Sequence, residues 1–355
     1  MILQELAIEP YRLWLHSPWR SARGEREFRD GWLVRARTAG LEGFGDCAPL
    51  PAAGTEPPQE SLAWLQRLRD EARGHPVATC LELLDGLPCP PAARCALETA
   101  LLDVVAQAEG VTLARLLEPE AVSEVVANAA VGAADRGLVA RCGAALDRGF
   151  SVFKVKAGML PVREEVSFLR EAAALLPAGA RLRIDPNRAW SAADARFALE
   201  ALAGLAVDSV EEPLARPSLE ALAALQREVP FAIAIDESRH ELGLERILAE
   251  RPVRRLVLKP ILLGGPRATL EAARRARDAG MEWVITTTVD SAVGCWASVH
   301  VAAALPGACA HGLATSEWLA EDVAVPPRPV AGRIALPEAP GLGLSPVVVP
   351  AVPMA

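Results

Sequence analysis

Lysine is nearly missing from this chain. Of 37 basic side chains in 355 residues, 34 are arginine and three are lysine: Lys154, Lys156 and Lys259. Arginine stays protonated at any working pH, whereas a lysine amine can be tuned to give up its proton and act as a base. Other scarcities exclude whole classes. The seven cysteines are odd in number and scattered, with no C-x-x-C, which argues against a disulfide framework or a zinc site. The five histidines show no paired spacing and offer no histidine-based metal centre. A net charge of −8 leaves no basic footprint for nucleic acid. No apolar run reaches membrane-spanning length, and the first residues are acidic rather than a basic leader. The expectation is a cytoplasmic protein with neither a nucleic-acid nor a membrane partner. The sequence sets no oligomeric state.

What is present is core material, with 51% hydrophobic and 23% charged residues, in a length suited to two domains or to one barrel with an appendage. Residues 1–50 alternate in strand fashion, with strands expected near Leu3–Leu15 and Gly31–Thr38. The charged, breaker-rich stretch from Ser17 to Arg26 reads as a mobile loop. Helices are expected at 57–73 and 90–108, so residues 1–120 form an α+β unit. From 121 to 320 the pattern changes to eight short apolar runs, beginning with Val125–Val131 and ending with Ala308–Leu313. A helical segment follows each of the first seven. That alternation predicts a parallel sheet closed into an α/β, (β/α)-type barrel. Residues 321–355 are irregular and are expected to pack back on the N-terminal unit.

Charged residues end the buried runs. Lys154 and Lys156 end the second, Asp185 the third, Glu211 and Glu212 the fourth, Asp236 and Glu237 the fifth, and Lys259 the sixth. Lys156, Asp185, Glu211, Asp236 and Lys259 follow one another at intervals of 29, 26, 25 and 23 residues. A barrel spends about 30 residues per unit, so each charge falls at the C-terminal mouth of successive strands, where such barrels keep their chemistry. Strand alternation puts Lys154 and Lys156 on one inward face. Three carboxylates without histidine or cysteine make a hard oxygen site, suited to Mg²⁺ with Mn²⁺ as a substitute. A metal between two amines suits removal of a weakly acidic proton beside a carboxylate, with the resulting enediolate stabilised by the ion.

In this order, K-x-K, Asp185-x-Asn187, Glu211-Glu212-Pro213, Asp236-Glu237-Ser238 and Leu258-Lys259-Pro260 resemble the enolase superfamily, muconate-lactonizing subgroup. Gly43-Phe-Gly-Asp-Cys-Ala-Pro-Leu-Pro is similar to the G-x-G-E-x-A-P-L-P stretch of o-succinylbenzoate synthases. Leu182-Arg-Ile-Asp-Pro-Asn-Arg-Ala-Trp and Thr286-Thr-Thr-Val-Asp-Ser-Ala-Val-Gly resemble their L-R-L-D-A-N-R-A-W and S-S-S-x-E-S-x-x-G. The resemblance spans about residues 30–345. It implies an N-terminal α+β capping domain over a (β/α)7β modified TIM barrel, with Mg²⁺ held by Asp185, Glu211 and Asp236. It implies Lys156 as the acid/base and Lys259 as a cation across the substrate. The implied substrate is a small carboxylate, 2-succinyl-6-hydroxy-2,4-cyclohexadiene-1-carboxylate, dehydrated to o-succinylbenzoate in menaquinone biosynthesis. Lys154, Arg183, Asn187, Glu237, Thr286 and Ser291 are the candidates for orienting substrate or active-site groups.

Four departures stand out. Threonines at 286–288 replace the serines, Asp290 replaces a Glu, Pro186 replaces an Ala, and the capping loop Ser17–Arg29 is richer in Arg than the resemblance implies. The Thr and Asp changes are expected to touch substrate orientation. The competing activities are N-succinylamino-acid racemization and dipeptide epimerization, which use the same two-lysine site. The epimerases carry D-x-D at the eighth strand to hold an ammonium, and here that strand reads His311-Gly-Leu-Ala-Thr-Ser-Glu.

Overall fold

A computed structural model of the chain describes residues 1–21, 24–344 and 347–349. Strands β1 (Glu5–Ser21), β2 (Gly24–Arg37) and β3 (Glu42–Cys47) form an antiparallel sheet in that order. Helices α1 (Pro58–Ala72), α2 (Val77–Gly86) and α3 (Pro91–Glu109) follow. Each helix has a proline at its N-cap or in its first turn, where a missing N–H costs nothing. The glycines of β3 are there for contact. A Cβ on Gly45 would lie 1.8 Å from Ala96 O, so this strand rides directly on the α3 backbone.

The stretch expected to be a mobile loop is instead a paired hairpin. Trp19 sits opposite Arg26 across β1 and β2, and the register shifts between Trp14 and Trp19, where Pro18 lies. The irregularity absorbs the missing proline donor. Trp19 also packs on Trp318, with ring centroids 6.0 Å apart. Tertiary packing therefore holds a segment whose composition suggests a loop. Residues 22 and 23 of that stretch lie outside the described residues.

The second sheet is parallel and seven-stranded. It comprises β5 (Ala129–Ala133), β6 (Val152–Lys156), β7 (Arg181–Asp185), β8 (Val207–Glu211), β9 (Ala232–Ile235), β10 (Arg255–Leu258) and β11 (Glu282–Ile285), adjacent in chain order. The expected first run is split. Its start is β4 (Glu124–Val126), which pairs antiparallel with β12 (Arg333–Ala335). The expected eighth strand is not a regular strand. Residues 310–313 instead join the two edges by single bridges, Ala127 with His311 and Thr286 with Gly312. His311 N–H donates to Val126 O at 2.8 Å and Gly312 N–H to Ile285 O at 2.9 Å. The sheet thus curls until its edges meet through this segment.

Alternation along β6 explains the site. Phe153 and Val155 are fully buried on one side, and Lys154 and Lys156 alternate with them and project to the inner side. The helix Ala192–Leu202 is capped as its sequence suggests. Asp194 N–H donates to Ser191 Oγ at 3.1 Å, and that hydroxyl donates to Asp194 Oδ2 at 2.7 Å. The C-terminal segment returns to α3, where Leu342 N–H donates to Asp103 Oδ1 at 2.7 Å.

Candidate active site

A cavity of about 830 Å³ lies where the cap meets the C-terminal ends of the barrel strands. That is ample for a small organic ligand. The hairpin of β1 and β2 covers it with Trp19 and Arg26, and the barrel floor supplies all three lysines.

The lysines and carboxylates interlock. Lys154 Nζ donates to Glu211 Oε1 at 2.7 Å and lies 3.0 Å from Asp185 Oδ2. Lys156 Nζ donates to Asp185 Oδ2 at 2.6 Å and to Asn187 Oδ1 at 2.8 Å. Lys259 Nζ donates to Asp236 Oδ2 at 2.5 Å and lies 3.9 Å from Glu237 Oε1. Burial opposes the charge on Lys154, but Asp185, Glu211 and Asp236 outweigh it and raise its pKa. Lys259 is raised in the same way, with burial overcome by Asp236, Glu237 and Glu211. Burial likewise works against an ionised Asp185, yet Lys154 and Lys156 hold its carboxyl below the usual range. Asp236 goes the other way. Burial and the neighbouring Glu237 push it well up despite Lys259.

Backbone geometry supports these placements. Asn187 and Glu212 follow β7 and β8 in the left-handed region, at φ 47° and 48°. Non-glycine residues adopt it rarely, and such strain gathers at functional sites. Glu212 accepts from Asp236 N–H at 2.7 Å and from Ser238 N–H at 2.8 Å, tying the end of β8 to the end of β9. Burial, then Glu237, push Glu212 up to about 7.

The donor set is carboxylate oxygen throughout. Among the described residues no three His, Cys, Asp or Glu side chains are clustered as a ready metal cage, and Lys154 Nζ stands between Asp185 and Glu211. Yet Asp236 Oδ1 and Glu237 Oε2 are buried with no hydrogen-bond partner. At the strand ends the four carboxylates of Asp185, Glu211, Asp236 and Glu237 face three ammonium groups. A buried carboxylate oxygen left unpaired beside other carboxylates fits a hard divalent cation.

The other sequence-derived candidates divide. Asn187, Glu237 and Thr286 line the cavity. Arg183 does not. It lies two residues deeper on the inward face of β7, with its donors committed to Asp208 Oδ2 (3.0 Å), Asn128 Oδ1 (2.9 Å) and Ala310 O (3.1 Å). Ser291 is also outside the cavity wall. It is the N-cap of the helix Ala292–Ala304, and its N–H donates to Asp46 Oδ2 of the cap at 2.9 Å. Asp290, expected to bear on substrate orientation, bonds Thr288 from behind rather than lining the cavity.

Two contributors lie outside the motifs. Glu165, seven residues past Gly158, accepts the N–H groups of Gly158, Met159 and Leu160 at 2.8, 2.9 and 3.0 Å and so shapes the loop after β6. Arg26 lines the cavity from the cap, and among the described residues its side chain makes no hydrogen bond or ion pair. Burial, then the neighbouring Arg29, lower its pKa, and Asp30 offsets them only in part.

The fold and site together define a capped barrel enzyme built on lysine and carboxylate. Residues 137–347 match the family described as enolase C-terminal domain-like. The chain is 32% identical to an o-succinylbenzoate synthase of Klebsiella pneumoniae (strain 342), over 81% of this chain and 83% of that protein. It is 30% identical to an L-Lys-D/L-Arg epimerase of Methylococcus capsulatus (strain ATCC 33009 / NCIMB 11132 / Bath), over 97% of this chain and 99% of the relative. Among solved structures, a muconate lactonizing enzyme from Pseudomonas fluorescens complexed with muconolactone superposes with TM-score 0.87 at 26% identity, covering 97% of this chain and 96% of that one. A dipeptide epimerase from Enterococcus faecalis V583, solved with Mg and the dipeptide L-Leu-L-Tyr, gives TM-score 0.87 at 24% identity, over 97% of this chain and 100% of that one. The chain belongs to the enolase superfamily. The relatives named above include a synthase, a lactonizing enzyme and epimerases.

Proposed function

We propose that this protein is an o-succinylbenzoate synthase that dehydrates 2-succinyl-6-hydroxy-2,4-cyclohexadiene-1-carboxylate to o-succinylbenzoate. The observation that carries this choice is the charge at the far side of the cavity. Among the described residues the Arg26 side chain there makes no hydrogen bond or ion pair, and residues 314 and 315, after the eighth barrel segment, are Ala and Thr. Of the other carboxylates on the cavity wall, Glu317 is paired with Arg148 and Asp135 with Arg141, and Glu25 is not free. This wall suits a second carboxylate, as on the succinyl arm, and not the ammonium of a dipeptide.

In the proposed reaction Lys156 Nζ takes the proton α to the ring carboxylate. The electron pair left behind forms the new ring double bond as the C–OH bond breaks. The Lys156 ammonium returns its proton to the departing hydroxyl, which leaves as water. Asp185 and Asn187 aim the Lys156 amine from behind. Lys259, fixed by Asp236, faces the planar anion as a cation over its π-face. Asp185, Glu211 and Asp236 would hold Mg²⁺, which when bound supplies Lewis-acid stabilisation of the charge on the substrate carboxylate.

A second reading has support from the same site. N-succinylamino acids carry a remote carboxylate too, and two lysines on well-separated strands suit removal and return of an α-proton. The direct test is dehydration by purified protein with Mg²⁺. Turnover that disappears in Lys156→Ala supports the proposal, and an inactive wild type sinks it.

A further inference from the structure

The loop between β11 and the helix Ala292–Ala304 forms one cavity wall, through Thr286, Thr287, Thr288 and Val289. The cap grips it from behind. Arg29, on β2, is 1% exposed. Its Nη2 donates to Ala48 O at 2.6 Å and to Thr288 Oγ1 at 3.3 Å, and its Nε donates to Val289 O at 3.2 Å. Asp46, on β3, accepts Ser291 N–H at 2.9 Å and the Tyr11 hydroxyl at 2.5 Å. Asp290 closes the turn on itself, accepting Thr288 N–H at 3.1 Å and its hydroxyl at 2.6 Å.

Two further features show that the grip holds the loop in shape rather than merely touching it. Val289 has φ 62°, a conformation a β-branched side chain adopts only when its surroundings impose it. The carbonyl of this strained residue is the one Arg29 holds. At the start of the following helix, a Cβ on Gly294 would lie 2.7 Å from Asp46 Oδ2 and 2.8 Å from Asp290 Cβ. The two positions where this chain carries Asp for the Glu of the synthase-like motifs, Asp46 and Asp290, therefore meet in one buried cluster with Arg29 and Tyr11.

We propose that Arg29 and Asp46 are positioning residues that dock the loop after β11 on the cap and hold Thr288 and Val289 in the shape that binds substrate. The reading of the cavity as the substrate site underlies this. Neither residue touches the lysines or their carboxylates, so the chemistry is left intact when the latch is weakened, and binding is what suffers.

The test uses the full chain with Mg²⁺ and two variants. Arg29→Lys keeps the charge but loses the planar fork, and Arg29→Met removes both. Amide hydrogen exchange in the peptide spanning residues 286–292 should accelerate at least tenfold, with β6 to β8 unchanged. In steady-state dehydration, KM should rise about tenfold while kcat stays within threefold. If Arg29→Met does not fold, Arg29→Lys carries both measurements. Unchanged exchange in the loop, or a fall in kcat at constant KM, overturns the proposal. Exchange needs no substrate, so a wild type inactive on the assumed substrate would refute the proposed function while leaving the latch to be judged on protection.

Discussion

Lys259 Nζ lies 2.5 Å from Asp236 Oδ2, while the other oxygen of that carboxylate is buried without a hydrogen-bond partner. One oxygen is neutralised and the other is left with its desolvation cost uncompensated. A cation bound at Asp236 would relieve that cost and stabilise the folded state by mass action, about 2.7 kcal/mol at a hundredfold excess over Kd. Mg²⁺ added to chelator-treated protein should raise Tm in the wild type and leave Tm unchanged in Asp236→Asn. Equal shifts in the two proteins would remove Asp236 from the metal site.

Lys156 is aimed by Asp185 and Asn187, which both accept from its Nζ. Replacing it with Ala should cut kcat about 10²- to 10⁴-fold, the usual contribution of a general base. The fold should survive, because the side chain lines the cavity rather than filling the core. Circular dichroism and kcat on the same preparation check both halves.

Arg26→Met should raise KM for a substrate with a remote carboxylate by tenfold or more at nearly constant kcat, the loss of one charged hydrogen bond of about 1.5–3 kcal/mol. A substrate analogue lacking that carboxylate should bind the variant and wild type alike. Steady-state kinetics with both ligands decides it.

Gly45→Ala should destabilise the cap sharply. The added Cβ would lie 1.8 Å from Ala96 O, and backbone on both sides must move apart. Overpacking of this kind costs about 1–3 kcal/mol or more. Thermal unfolding of the variant should begin at a clearly lower temperature than in the wild type.

These positions show what the sequence makes legible. Lys154, Lys156, Asp185, Glu211, Asp236 and Lys259 stand out because a charge at the end of an apolar run is anomalous and the βα repeat fixes its place. Their grouping at one end of the sheet follows from periodicity alone. Arg183 and Ser291 lie off the cavity wall, because a motif neighbour shares the strand or loop but not the depth or direction. Arg183 is one pleat too deep, and Ser291 is already in the helix cap. The hairpin at Ser17–Arg26 was hidden because its order comes from Trp318, some 300 residues away in the chain. The eighth segment lacks a strand's regular ladder, so an apolar run alone does not distinguish it from one.

His300 makes stability depend on pH. The ring is fully buried, its Nδ1 accepts Ala114 N–H at 3.1 Å, and burial pushes its pKa down to about 4. An unfolded histidine protonates near 6.5. Between those values the unfolded state binds more protons, so the stability present above pH 6.5 is lost as pH falls through about 4. Burial acts in the opposite sense on Asp46, Asp103 and Asp322, raising them to about 6, 6 and 7, but these groups are common to both proteins and cancel in a comparison. From pH 7 to pH 5 the wild type should lose about 2 kcal/mol relative to His300→Gln in urea unfolding.

Dehydration and racemization are told apart by kcat/KM for the two substrates measured side by side. Purified protein with Mg²⁺ should dehydrate 2-succinyl-6-hydroxy-2,4-cyclohexadiene-1-carboxylate with a kcat/KM well above that for racemization of any N-succinylamino acid. A larger kcat/KM for racemization would overturn the dehydration and make this chain a racemase.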